Sequence, residues 1–147
     1  MCSSDLAGVI HRDLKPSNVL RRESGQLVIA DFGISRPLDE SGEHTTVGSL
    51  LGSPAYMSPE QCLGQALDAR ADLYSAGVIF AEMLMGARPF RGDNVASVLY
   101  QHVHGPLPQL PDGLDRHQPL LNALLAKDPS GRIDSAAEAL KLLDSSK

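Results

Sequence analysis

The 147 residues contain no tryptophan, and aromatic side chains make up only 4% of the total. An excess of positive charge is missing too: 13 basic residues stand against 18 acidic ones, for a net charge of −5. That balance offers no cationic face to a phosphate backbone and excludes a nucleic-acid partner. Cysteine is scarce. Cys2 and Cys62 show neither metal-type nor disulfide-framework spacing, which points to a reducing compartment and a cytoplasmic location. No apolar run reaches the length needed to cross a bilayer, and the N-terminus lacks the charged and hydrophobic regions of a signal peptide. There is no internal repeat and no low-complexity tract. What is present, 42% apolar and 21% charged residues, suits one globular domain able to bury a core.

Along the chain, two short β-prone runs, Val19 to Arg21 and Leu27 to Ala30, flank Ser24 and Gly25 and read as a hairpin. With Ser24 and Gly25 as a two-residue turn, Asn18 falls opposite Asp31, so two oxygen-bearing side chains meet at the open end. Residues 37–52 are polar and aperiodic and predict an exposed loop. From there the pattern turns helical. Pro59 suits the first turn of a short helix. Residues 68–86 predict a long helix, apolar on nearly every side and therefore buried all round, closed by Gly86. Residues 92–105 predict another with Asp93 or Asn94 as N-cap, and residues 117–129 and 134–144 two more, the last capped by Asp134 or Ser135. One hairpin followed by about five helices is a mainly α arrangement, consistent with the lower half of an α/β-type enzyme.

Several motifs then occur in a fixed order: "HRDLKPSN" at residues 11–18, "DFG" at 31–33, "SPE" at 58–60, "DLYSAG" at 72–77 and "KDPSGR" at 127–132. Together they resemble the C-terminal lobe of a eukaryotic-type Ser/Thr protein kinase, of the kind also found in bacteria, over residues 7–147. The implied fold is protein-kinase-like α+β, here the mainly helical C-terminal lobe with a β-hairpin at the active site. The implied activity is transfer of the ATP γ-phosphate to Ser or Thr hydroxyls of protein substrates, a reaction that asks a protein mainly for positioning and charge stabilisation.

The resemblance implies a role for each matched residue. Asp13 accepts the proton of the substrate hydroxyl and orients it, and Lys15 beside it offsets charge on the transferring phosphoryl group. Lys15 with Pro16 matches the Ser/Thr-specific form of the loop. Asn18 and Asp31 are the implied Mg²⁺ ligands, hard oxygen donors suited to an ion that keeps waters and nucleotide phosphates. Gly33 lets the backbone swing past Asp31, and Leu20 matches the floor of the adenine pocket. His11 and Phe32 match a stacked pair, Asp72 an anchor of the catalytic-loop backbone, and Glu60 with Arg132 a buried ion pair. Arg12 matches the arginine that pairs with a phosphorylated residue of the activation segment, for which Thr45 and Thr46 are equal candidates. Ser53 stands where most relatives have Thr and keeps the hydroxyl that bridges Asp13 and Lys15.

The family's glycine-rich loop, strand lysine and adenine hinge have no counterpart in the chain. The N-terminal lobe is thus an expected partner in cis. Residues 1–6, "MCSSDL", do not resemble the family's helix at that place. They resemble the translation of a sequencing-library adapter end, so foreign sequence joined to a truncated gene is expected there. The isolated chain is expected to be inactive, in a parent with a cytoplasmic kinase domain that a membrane anchor could hold. The competing expectation is a non-catalytic module that binds a peptide or partner.

Overall fold

The computed structural model describes residues 9–31 and 53–145. The expected loop at 37–52, Phe32, Gly33, Thr45, Thr46 and the leader lie outside the described residues.

The hairpin pairs β1 (Val19–Arg21) with β2 (Leu27–Ile29) in antiparallel register, Val19 opposite Ile29, Leu20 opposite Val28 and Arg21 opposite Leu27. This corrects the expected two-residue turn. Arg22 donates its N–H to the Gln26 carbonyl, and the Gly25 N–H donates to the Arg22 carbonyl, both at 2.9 Å. The loop is therefore three residues long, with Gly25 left-handed at φ 85°. A type I′ turn needs positive φ at both central residues, and Ser24 does not have it. The register consequently shifts by one. Asn18 faces Ala30, whose N–H donates to the Asn18 carbonyl at 2.8 Å, and Asp31 lies one step beyond.

The remainder is helical: α1 (Pro59–Cys62), α2 (Arg70–Met85), α3 (Val95–His104), α4 (Gln118–Leu125) and α5 (Ala136–Asp144). Of the alternative caps, Asn94 takes the Ser97 N–H in a capping box, and Ser135 accepts from the Glu138 N–H. Each satisfies backbone donors that a helix leaves open. Gly86 ends α2 in the left-handed region. The core gathers Tyr56, Tyr74, Val78, Ala81, Phe90, Leu121 and Leu125, with α2 packed on α4. Gly77 permits that approach, since a Cβ there would stand 2.7 Å from the Leu124 Cβ. Burial of α2 all round fails at Met83, 75% exposed, because the packing partners of α2 cover other faces and leave this side to solvent. Among the described residues no helix is long and apolar enough to cross a membrane.

Candidate active site

Residues 11–18 precede the hairpin, and their shape is imposed from α2. Asp72, in the first turn of that helix, accepts from the His11 N–H at 2.7 Å and the Arg12 N–H at 3.0 Å. Arg12 sits at φ 67°, a conformation that costs a non-glycine residue about 1–3 kcal/mol and persists only where its surroundings over-determine it. The Asp72 carboxylate supplies that determination, helped by Gln61, whose side-chain amide donates to the Arg12 carbonyl at 2.8 Å. The Arg12 side chain is exposed and makes no hydrogen bond or ion pair with the described residues.

His11 is buried and joins the loop to the hairpin: its Nε2 lies 2.9 Å from the Ala30 carbonyl, and its Nδ1 lies 3.3 Å from the Asp13 N–H. A carbonyl only accepts and an amide N–H only donates, so these partners assign the ring proton to Nε2. Asn18, also buried, donates its amide to the Asp13 carbonyl at 2.8 Å.

These contacts present Asp13 with both carboxylate oxygens engaged once. The Ser53 N–H donates to Oδ1 at 2.9 Å, and the Lys15 ammonium lies 2.8 Å from Oδ2. Each side chain is 29% exposed, so the pair faces solvent with lone pairs to spare. Ser53 reaches Asp13 through its backbone and not through the implied hydroxyl bridge. It is extended before Pro54, at φ −90° and ψ 114°, and that geometry turns the N–H toward the carboxylate.

At the open end of the hairpin, the Asn18 Oδ1 takes no hydrogen bond from the described residues. Neither does the carboxylate of Asp31, which is exposed at φ 54°. Leu20, 53% exposed, shares one face of the hairpin with its partner Val28, while the exposed Leu27 and Ile29 lie on the other.

Residues 53–60 run from the Asp13 contact into the helical body. Ser58 and Gln61 close a capping box at α1. Behind it Arg132 forks onto Glu60, Nη1 to Oε1 at 2.7 Å and Nη2 to Oε2 at 3.0 Å, with both side chains buried. Arg132 also donates to the carbonyls of Arg70 at 2.7 Å and Ala126 at 3.0 Å, so a buried charge is met on several sides. Tyr56 donates to Glu82 Oε2 at 2.7 Å. Burial first, and then this bond, push its phenol up from the ordinary value.

The sequence reading missed several residues of this region. Gln61 was detectable, because Ser58-x-x-Gln61 is the spacing of a capping box. Lys127, although it opens the KDPSGR motif, and His102 carried no sequence signal of burial. Lys127 donates to the His102 carbonyl at 2.7 Å and lies 4.2 Å from the Phe90 ring centre, and burial lowers its pKa to about 8. His102 is fully buried beside Tyr74, and burial, then the charge of Lys127, lower its pKa to about 4.

The motif residues of the loop thus converge on one half-buried carboxylate–ammonium pair, with Asn18 bonded to the same loop and Asp31 just past the end of β2. Comparison with known proteins gives the same direction. Residues 6–142 match the protein kinase domain family. The chain is 43% identical over 141 residues to a Streptomyces coelicolor protein named as a probable serine/threonine-protein kinase, covering 92% of this chain and 21% of that protein. It is 42% identical over 137 residues to the serine/threonine-protein kinase PknB of Mycobacterium tuberculosis, covering 89% and 22%. It is also 40% identical over 139 residues to a probable PknB of Bifidobacterium longum, covering 89% and 20%. The chain spans about a fifth of the length of these relatives.

Proposed function

Because this chain belongs to the protein kinase family, we propose that the protein carrying it transfers the γ-phosphoryl group of ATP to Ser and Thr hydroxyls of other proteins. The observation that supports this most is Asp13, held by one N–H and one ammonium with its side chain still partly open to solvent. A substrate hydroxyl placed there donates its hydrogen to the carboxylate, which aims the oxygen at phosphorus and takes the proton as the new P–O bond forms and the γ-phosphorus separates from the bridging oxygen that leaves with ADP. The Lys15 ammonium offsets negative charge on the transferring group.

Asn18 and Asp31 fit a magnesium ion by their donor chemistry. Among the described residues Asn18 spends its amide N–H on the loop and keeps Oδ1, while Asp31 keeps its whole carboxylate. Two hard oxygen donors are what an ion needs that completes its shell with water and phosphate oxygens. When bound, Mg²⁺ neutralises charge on the phosphate oxygens. The exposed Leu20 belongs to the hairpin face that adenine and a nucleotide-covering lobe would close over, and the isolated chain is inactive without them. Consumption of ATP places the lobe in the cytoplasm. Arg12, exposed and unengaged among the described residues, is the cation that a phosphorylated Thr45 or Thr46 pairs with to order the intervening segment.

The test is label transfer from ATP to a Ser/Thr substrate by the full-length protein. Asp13→Asn removes the proton acceptor and is expected to lower the rate by about 10²–10⁴-fold. Transfer unchanged by that substitution overturns the assignment.

A further inference from the structure

His102, on α3, is wholly buried, edge-on to Tyr74 and tilted against Phe90, with ring centres 5.7 and 4.7 Å away. An apolar side chain would fill that space with no polar group to satisfy, so the imidazole is a liability unless its nitrogens are used. Nδ1 lies 3.1 Å from the Tyr74 hydroxyl, and Lys127 fixes which of the two carries the hydrogen. Its ammonium, which can only donate, bonds the carbonyls of His102 at 2.7 Å and Gln101 at 3.1 Å and stands 3.5 Å from the same hydroxyl. The phenol hydrogen is thereby turned to Nδ1, and the neutral ring carries its own on Nε2. Among the described residues Nε2 makes no hydrogen bond of good geometry. Yet α3 packs on the turn Pro54–Tyr56. Burial and then Lys127 lower the ring's pKa, while the carbonyls of Ala55 and Pro54 pull the other way, which places those two acceptors at the ring. The Pro54 carbonyl takes the Met57 N–H only at 3.5 Å and has room for a second donor.

That turn aims Ser53. The Tyr56 N–H closes it on the Ser53 carbonyl at 2.9 Å, the Ser75 hydroxyl pins its far end through the Tyr56 carbonyl at 2.7 Å, and its near end sends the Ser53 N–H to Asp13 Oδ1 at 2.9 Å. We propose that His102 is a positioning residue for phosphoryl transfer: its Nε2–H donates to the turn at Pro54 and Ala55 and so keeps the Ser53 N–H on Asp13. Lys127, Tyr74 and His102 then form one chain of donors, all directed from the KDPSGR motif toward the carboxylate. His102 acts through Ser53 and takes no part in the chemical step. Its effect on turnover rests on the Ser/Thr-kinase reading, whereas the hydrogen bond does not.

The test reads the 147-residue chain first. Nitrogen–proton NMR of the imidazole is expected to show the Nε2–H tautomer, and an Nδ1–H tautomer overturns the proposal. His102→Phe keeps an aromatic ring and removes the donor, while His102→Gln keeps a donor at similar reach. In His102→Phe, hydrogen exchange at the Ser53 amide is expected to speed by about three- to tenfold, the size of one hydrogen bond, with the amides of α2 unchanged. In the full-length protein kcat should fall by a similar factor at an unaltered KM for ATP, and His102→Gln should recover both. Tyr74→Phe, which releases the ring to carry its proton on Nδ1, should also speed the Ser53 amide and serves if the His102 variants fail to fold. Wild-type exchange at Ser53 in His102→Phe or Tyr74→Phe, or equal losses in His102→Phe and His102→Gln, overturns the proposal. Tautomer and exchange are read without turnover, so a full-length protein that transfers nothing would sink the kinase reading and leave the hydrogen bond to be judged by itself.

Discussion

The helical body and the loop-plus-hairpin segment are held by different physics. The body buries an apolar cluster around Tyr74, Val78, Leu121 and Leu125 and fastens residues 53–60 to it with the Glu60–Arg132 pair. The hairpin is two three-residue strands whose apolar side chains largely face outward, and an isolated two-stranded hairpin has little stability of its own in water. It is tied to the body by directed hydrogen bonds: His11 and Arg12 to Asp72, Arg12 to Gln61, and Ser53 to Asp13. Burial makes the body stable. Hydrogen bonds to charged groups make the loop precise, which is what a reaction dominated by positioning requires.

The comparison can be broken first at the ion pair. Glu60→Ala strands the buried Arg132 guanidinium and is expected to lose about 3–5 kcal/mol in denaturant unfolding; a wild-type midpoint would mean that the pair does not fasten the body. The buried imidazole comes next. The pKa of His102 in the folded state, about 4, lies below the ordinary 6.5. Its contribution is therefore intact above pH 6.5 and lost as the pH falls toward 4, by about 3 kcal/mol. His102→Gln should flatten that acid slope, and an unchanged slope contradicts the assignment.

Asp72→Ala leaves two loop N–H groups without their acceptor and is expected to cost about 2 kcal/mol. Amide exchange should accelerate at His11, Arg12 and the hairpin while amides of α2 and α4 hold their protection. Equal acceleration in both would show that the regions are one cooperative unit. The smallest effect belongs to Leu27→Ser on the open face, 65% exposed, where thermal unfolding of this chain should shift by less than about 0.5 kcal/mol.

The helical ends were legible in part because capping is local chemistry: Gly86 was readable outright, Asn94 and Ser135 each only as one of two neighbours, and the end of α4 at Leu125, four residues short of the expected 129, was not. The motif positions were legible as a pattern, and the structure brings Asp13, Lys15 and Asn18 together. The hairpin register was not, since a two-residue and a three-residue loop both accommodate Ser24 and Gly25, and the choice lies in backbone angles. Exposure of Met83 and burial of Lys127 depend on which distant helix covers which face, and nothing local reports that. The Ser53 contact was misassigned for a related reason: residue type suggests a hydroxyl, whereas the extended backbone before Pro54 delivers the N–H.

The most direct measurement is label transfer from ATP to a Ser/Thr protein substrate, run in parallel on the full-length protein and on the isolated 147 residues, each with its Asp13→Asn variant. The account predicts transfer by the full-length protein alone, abolished by the substitution. Transfer by the isolated chain that Asp13→Asn abolishes would show that these residues need no covering lobe, and a full-length protein that transfers nothing would contradict the kinase assignment itself.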